Sequence, residues 1–306
     1  MPGPQHEYKD RLFGFIFGRE EHKEWTLSLY NAINGSNYDD PSQIVITTIR
    51  EVLYMGMHND VSFMISDEMN LYEQQSTYNP NMPLRMLQYA GNLYENELER
   101  RERSKYGHRL VPLPVPRLVV FYNGLTDEPD ETVLRLSDAF PAGSADKADI
   151  EVRVRMVNVN RGHSGSLMAR CPLLEEYAWA VDAVRQKDRE MPLEAAIDQM
   201  ITTMPGEFII KPYLEQHRAE VKGMLLTEYN EAKEMERLRK EYREEFLEEG
   251  RAEGRVEGER IGETRGIAKL NRLLQLLTQD GRTVDFSRIL GDETYRSQLF
   301  EAYGLT

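Results

Sequence analysis

At 306 residues the chain is long enough to bury a sizeable core, and its length suggests about one to two domains. A net charge of -14 argues against a broad electrostatic surface for nucleic acid, because non-specific affinity comes from Lys and Arg neutralising phosphates. The single cysteine, Cys171, excludes an internal disulfide framework and a cysteine-ligated zinc site, and it fits a reducing compartment.

No apolar run is long enough to span a bilayer, and charged residues make up 29% of the chain, so no membrane partner is expected. The opening MPGPQHEYKDRLFGFIFG lacks a basic start, an apolar stretch and a small-residue cleavage site. A cytoplasmic location is the expectation.

In chain order, HEYKDRLFGFIFGREEHKEWTLSLYNAING reads as helical packing segments stopped at Gly35, and a further helix is expected from about Ser42 to Gly56. Next, Val61, Phe63 and Ile65 alternate with Ser62 and Met64, the period of a strand, and a second strand follows from about Leu71. Two registers are open. A hairpin centred on Ser66 and Asp67 pairs residue 60 with residue 73; a four-residue turn at Asp67 to Asn70 sets Glu73 opposite Met64 instead. PLRMLQYAGNLYENELE then reads as a helix. Arg85, Gln88 and Tyr89 lie on it at helical spacing and can share one face.

Arg100, Arg101, Arg103, Lys105, His108 and Arg109 follow as a basic cluster, and Arg153, Arg155 and Arg161 accompany a later strand. Either these line a DNA groove or the first group is a solvated helix end. Pro112, Pro114 and Pro116 stop any helix before the buried-type strand LVVFY, and IEVRVRMV alternates as a strand with one solvent face. GHSGS at 162–166 does not have the order of a serine-hydrolase elbow and reads as a loop without an immediate helix after it.

From Leu173 the pattern turns helical through LLEEYAWAVDAVRQ, LEAAIDQMITTM and RAEVKGMLLTEYNEAKEMERLRKEYREEFLEE. Glycines at 250, 254, 258, 262 and 266 form a four-residue repeat. On a helix each costs about 0.8 to 1.0 kcal/mol relative to Ala, so the repeat is either a loose linker or a helix that self-associates by close backbone approach. LNRLLQLL and TVDFSRILGDETYRSQLFEAYG suggest short helices beyond it.

The chemistry-bearing feature is the hairpin. In the tight register the Asp60 and Glu73 side chains lie roughly 4.5 to 5.5 Å apart at Cβ. Carboxylates that close repel, and a divalent cation removes the cost; Mg2+ accepts hard oxygen ligands, keeps waters and can hold a phosphate. Gln75 shares a strand face with Glu73. The alternative is a pair of solvated hairpin residues.

Asp60, the Glu73-Gln74-Gln75 triplet, STYNPNMPLRMLQY, VVFYNG at 119–124 and IEVRVRMVNVN at 150–160 resemble the Rpn recombination-promoting nucleases, or putative transposases, of the PD-(D/E)XK superfamily. The resemblance covers roughly residues 8–266. It implies an α/β fold with a mixed central sheet flanked by helices, and Mg2+- or Mn2+-dependent cleavage of DNA, with DNA recombination as the setting. It also implies that Asp60 and Glu73 are metal ligands, that the Gln74 carbonyl completes the coordination, and that Gln75 stands where the superfamily has lysine. A neutral amide orients water but adds no cation, so slower chemistry or heavier reliance on metal is expected.

Glu51 is a third candidate carboxylate, with an exposed helical glutamate as its alternative. Arg85 reads as a phosphate clamp or a surface arginine; Gln88, Tyr89, Arg100, Arg101 and Arg103 complete the DNA-binding candidates. The expected organisation is a nuclease core over 1–170, a helical extension packed on it over 171–249, a repeat connector over 250–266 and a helical tail over 267–306. The competing function is a catalytically weak or inactive module of this fold acting in DNA binding or protein interaction.

Overall fold

The computed structural model describes residues 11–47 and 60–305. It divides into two compact units, the first ending at Lys233 and the second running from Glu234. Among the described residues no helix is long and apolar enough to cross a membrane.

The first unit begins with α1 (Leu12–Phe17), whose Leu12, Phe13, Phe15, Ile16 and Phe17 are all buried. A helix apolar on every side belongs inside. After α2 (Lys23–Asn34), Gly35 takes φ 65° and its N–H donates to the Asn31 carbonyl, a left-handed stop that glycine adopts without strain. The helix expected from Ser42 is absent over its described part. Instead a 3-10 turn spans Pro41–Gln43 and strand β1 covers Val45–Ile46. The run Ile44-Val45-Ile46-Thr47 is β-branched throughout, which disfavours helix and packs well on a pleated edge. Residues 48–56 of that expected helix, Glu51 among them, lie outside the described residues.

Strands β2 (Val61–Ile65) and β3 (Glu68–Gln75) form the hairpin in the tight register, with Val61 opposite Tyr72 and Ile65 opposite Glu68. Ser66 at φ 50° opens the two-residue connection. Helix α3 (Met82–Arg100) carries the chain to β4 (Val115–Tyr122), which lies parallel to β3. Pro116 sits inside β4, where a missing N–H is tolerated because the next strand pairs with β4 only from Val119. Strands β5 (Glu131–Arg135) and β6 (Arg153–Asn158) complete a mixed six-stranded sheet of order β1-β2-β3-β4-β6-β5.

Helix α4 (Gly165–Arg170) starts inside GHSGS, so residues 162–164 are loop but a helix does follow at once. Helices α5 (Pro172–Lys187), α6 (Leu193–Thr203) and α7 (Lys211–Gln216) and the start of α8 (Arg218–Gln279) then pack on the sheet. Their Leu174, Tyr177, Ile201, Leu214 and Leu225 share one core with Phe13, Tyr72, Phe121 and Val157. The helical segment after 170 belongs to the first unit as far as Lys233. Met82, Met86 and Tyr89 of α3 cover the other sheet face through Leu71, Val120 and Tyr122.

In the second unit the glycine repeat is helical, within α8. A side chain built at any of its five glycines meets nothing within 4 Å. Leu273 and Leu277 of α8 bury Ile289 of α9 (Phe286–Gly291) and Leu299 of α10 (Glu293–Ala302) in a small separate core.

Candidate active site

The hairpin register, extended one residue beyond the Val61–Tyr72 pair, sets Asp60 opposite Glu73. The Gln74 N–H donates to Asp60 Oδ2 at 2.6 Å, which ties this carboxylate to the β3 backbone. Behind it lies α1, held close because Gly14 has no side chain: a Cβ there would stand 2.9 Å from the Asp60 carbonyl oxygen.

Alternation along β3 sends Glu73 and Gln75 to the α3 side and Gln74 to the α1 and α5 side. Glu73 is 2% exposed. Its Oε2 lies 3.6 Å from Arg85 Nη2, and its Oε1 is buried with no hydrogen-bond partner among the described residues. Burial first, and then the nearby Asp60 charge, hold the Glu73 carboxyl well above the usual carboxylate range. Arg85, Arg11 and a backbone hydrogen bond from Asp60 act the other way. Gln75 Nε2 is also buried without a partner among the described residues.

Two guanidiniums flank the carboxylates. Arg85 donates to the Tyr89 hydroxyl at 2.9 Å from the α3 side. Arg11, immediately before α1, donates through Nη1 to the Gln74 carbonyl and side chain and brings Nε to 3.9 Å from Asp60 Oδ1. From Gln74 a buried chain continues through Asn123, whose Oδ1 accepts from Gln74 Nε2 at 2.6 Å, to the Tyr177 hydroxyl on α5. Arg185 closes this network on the Asn123 carbonyl and on Asn160 Oδ1.

The structure thus gathers Asp60, Glu73, Gln74, Gln75, Arg85 and Tyr89. Gln88 is exposed on α3. Arg100 lies fifteen residues beyond Arg85, roughly 22 Å along the helix at 1.5 Å per residue, so the basic cluster is not at the site. Arg100 and Arg101 both bind Glu97, and Lys105 binds Glu95. Arg103, His108 and Arg109 are exposed. Arg155 caps the Ile33 carbonyl and pairs with Glu131, Arg161 pairs with Asp182, and Arg153 is exposed. Sequence reasoning missed Arg11, Gly14, Asn123 and Tyr177. For Gly14 a signal existed, since a glycine in the apolar turn RLFGFIFG marks close approach; the other three are brought in by tertiary folding alone.

An ion can be tested against these residues. A buried carboxylate oxygen without a donor, on a group whose charged form burial disfavours, is stabilised by a bound cation. Carboxylate oxygens are the hard ligands Mg2+ and Mn2+ prefer, and Mg2+ needs only one or two of them besides waters and phosphate. No cluster of three or more His, Cys, Asp or Glu forms among the described residues, but the Asp60–Glu73 pair meets this smaller requirement. The residues fit.

Comparison with protein-family models, with curated proteins and with solved structures finds no match to this chain.

Proposed function

We propose that this chain is a metal-dependent endonuclease of the PD-(D/E)XK type that hydrolyses phosphodiester bonds in DNA, in the manner of the recombination-promoting nucleases it resembles. The observation that carries the reading is the convergence of Asp60 with a deeply buried Glu73 whose Oε1 has no donor among the described residues. Those two carboxylates would hold Mg2+ or Mn2+. A bound divalent ion supplies a polarised phosphate, a more acidic water and a stabilised leaving oxygen.

The protein's own groups do the rest. The Gln74 N–H fixes Asp60, and the Gln75 amide is a donor free to orient a water or a phosphate oxygen. Arg85, anchored to Tyr89, offers a planar fork suited to phosphate. Gln74's carbonyl accepts from Arg11 with one of its two lone pairs, which leaves the other for an ion. Recombination of mobile DNA is the setting the resemblance implies, and the single cysteine fits a reducing cytoplasm.

A second reading, a non-catalytic module binding DNA or protein, is favoured by one observation. Arg11 and Arg85 already act as counter-ions to the carboxylates, while Gln75 adds no charge. Nicking of supercoiled plasmid with Mg2+ or with EDTA, by the natural chain and by Asp60→Ala, separates the two. Cleavage that needs metal and disappears in the variant supports the nuclease. DNA binding without cleavage under Mg2+ or Mn2+ supports the module.

A further inference from the structure

We infer that Arg11 and Arg85 have two alternating roles at this site: internal counter-ions of the Asp60–Glu73 pair, and phosphate ligands once a divalent cation takes over that pair. The inference rests on the metal-site reading above and adds to it how substrate binding is made to depend on metal.

Three observations carry it. The arginines approach from opposite faces of the sheet, Arg11 from the start of α1 and Arg85 from α3, yet each reaches one member of the carboxylate pair, at 3.9 Å and 3.6 Å. Neither contact is a short bidentate fork on Asp60 or Glu73. Each arginine is also anchored by a neutral partner: Arg11 by the Gln74 carbonyl and amide oxygen, Arg85 by the Tyr89 hydroxyl. Those anchors keep the guanidiniums at the site when the carboxylates are otherwise engaged.

Charge then sets the order of events. Without an ion, the arginines are turned toward the carboxylate pair and offer little to a phosphodiester. With a divalent cation held by the carboxylates, the same arginines are relieved as counter-ions of that pair and add their positive charge to the ion's. That balance suits a phosphate monoanion and suits the additional charge of its transition state better. The arginines therefore oppose metal binding alone and favour phosphate binding after it, which is reciprocal coupling between two ligands.

The test uses the full chain and measures binding rather than turnover. Isothermal titration of Mn2+ into the natural protein, Arg85→Gln and Arg11→Gln should show tighter metal binding in both variants, by roughly 5-fold or more. Fluorescence anisotropy with a short, cleavage-resistant DNA duplex should show the opposite. In Mn2+ each variant binds DNA more weakly and loses about one unit of salt slope, and in EDTA natural and variant proteins bind alike. Arg85 is one-third exposed on α3, so its replacement spares the core and carries the test if Arg11→Gln does not fold. Metal affinity unchanged or reduced in Arg85→Gln, with the natural protein still binding Mn2+, overturns the two-role inference and leaves the metal site standing. Failure of the natural protein to bind Mn2+ overturns both.

Discussion

Replacing Glu73 by glutamine should stabilise the protein while removing its metal response. The side chain keeps its volume, so no cavity opens, and a buried charge is removed. Desolvation of such a charge costs several kcal/mol, and its attraction to Arg85 at 3.6 Å offsets only part, because that guanidinium is one-third exposed and screened. A net gain of about 1 to 2 kcal/mol is the expected scale, since the buried ion's desolvation cost is removed while the Arg85 left behind is one-third exposed and stays solvated. For a unit of this size that is a rise in Tm of about 2 to 8 °C.

The pH dependence has a definite sign. A carboxyl whose folded pKa is raised above its ordinary 4.5 weakens the fold at neutral pH and ceases to do so as protonation sets in. The advantage of Glu73→Gln should therefore be complete only above the raised folded value, shrink as the pH falls, and vanish below the ordinary carboxylate range. Scanning calorimetry at several pH values, with Mg2+ and with EDTA, reads all of this: Mg2+ should raise Tm of the natural chain and leave the variant unmoved. A variant less stable than the natural chain at neutral pH in EDTA would refute the reasoning, because the carboxylate would then be a net structural asset.

Three other outcomes follow from the packing. Gly14→Ala places a methyl 2.9 Å from the Asp60 carbonyl oxygen, so α1 must shift; a loss of about 1 to 3 kcal/mol in urea unfolding and weaker Mn2+ binding are expected. Tyr177→Phe strands the buried Asn123 amide and should cost about 1 to 3 kcal/mol by the same unfolding assay. Gly258→Ala meets nothing within 4 Å and should raise the helix's melting temperature by circular dichroism, from about 0.8 to 1.0 kcal/mol of propensity. Lower stability together with a lower mass in sedimentation would show instead that a second chain covers the repeat.

The hairpin is legible in the alternation of Val61, Phe63 and Ile65, but the sequence leaves two registers open, and it is the pairing of Ile65 with Glu68 that selects the tight turn and brings residue 60 opposite residue 73. Helices after Leu173 announced themselves by period, as did the buried strand ending VVFY. Over residues 42–47 the expected helix fails because its apolar spacing spans a β-branched run whose partner strand lies beyond local view. Strand β5 carries only the sparse pattern ETVLR and was not foreseen; it exists because β6 offers an open edge to pair with. Arg11 was invisible for a different reason: it meets Gln74, 63 residues away, only after α1 buries its apolar surface against the sheet.

Asp60 and Glu73 of the proposed site grip one shared ion. Mn2+ electron paramagnetic resonance can count bound ions in the natural chain, Asp60→Ala, Glu73→Gln and the double variant. One saturable ion in the natural chain, lost in either single variant with no further loss in the double, is the expected result, since groups acting on one ligand are not additive. Unchanged ion binding in both single variants would contradict it.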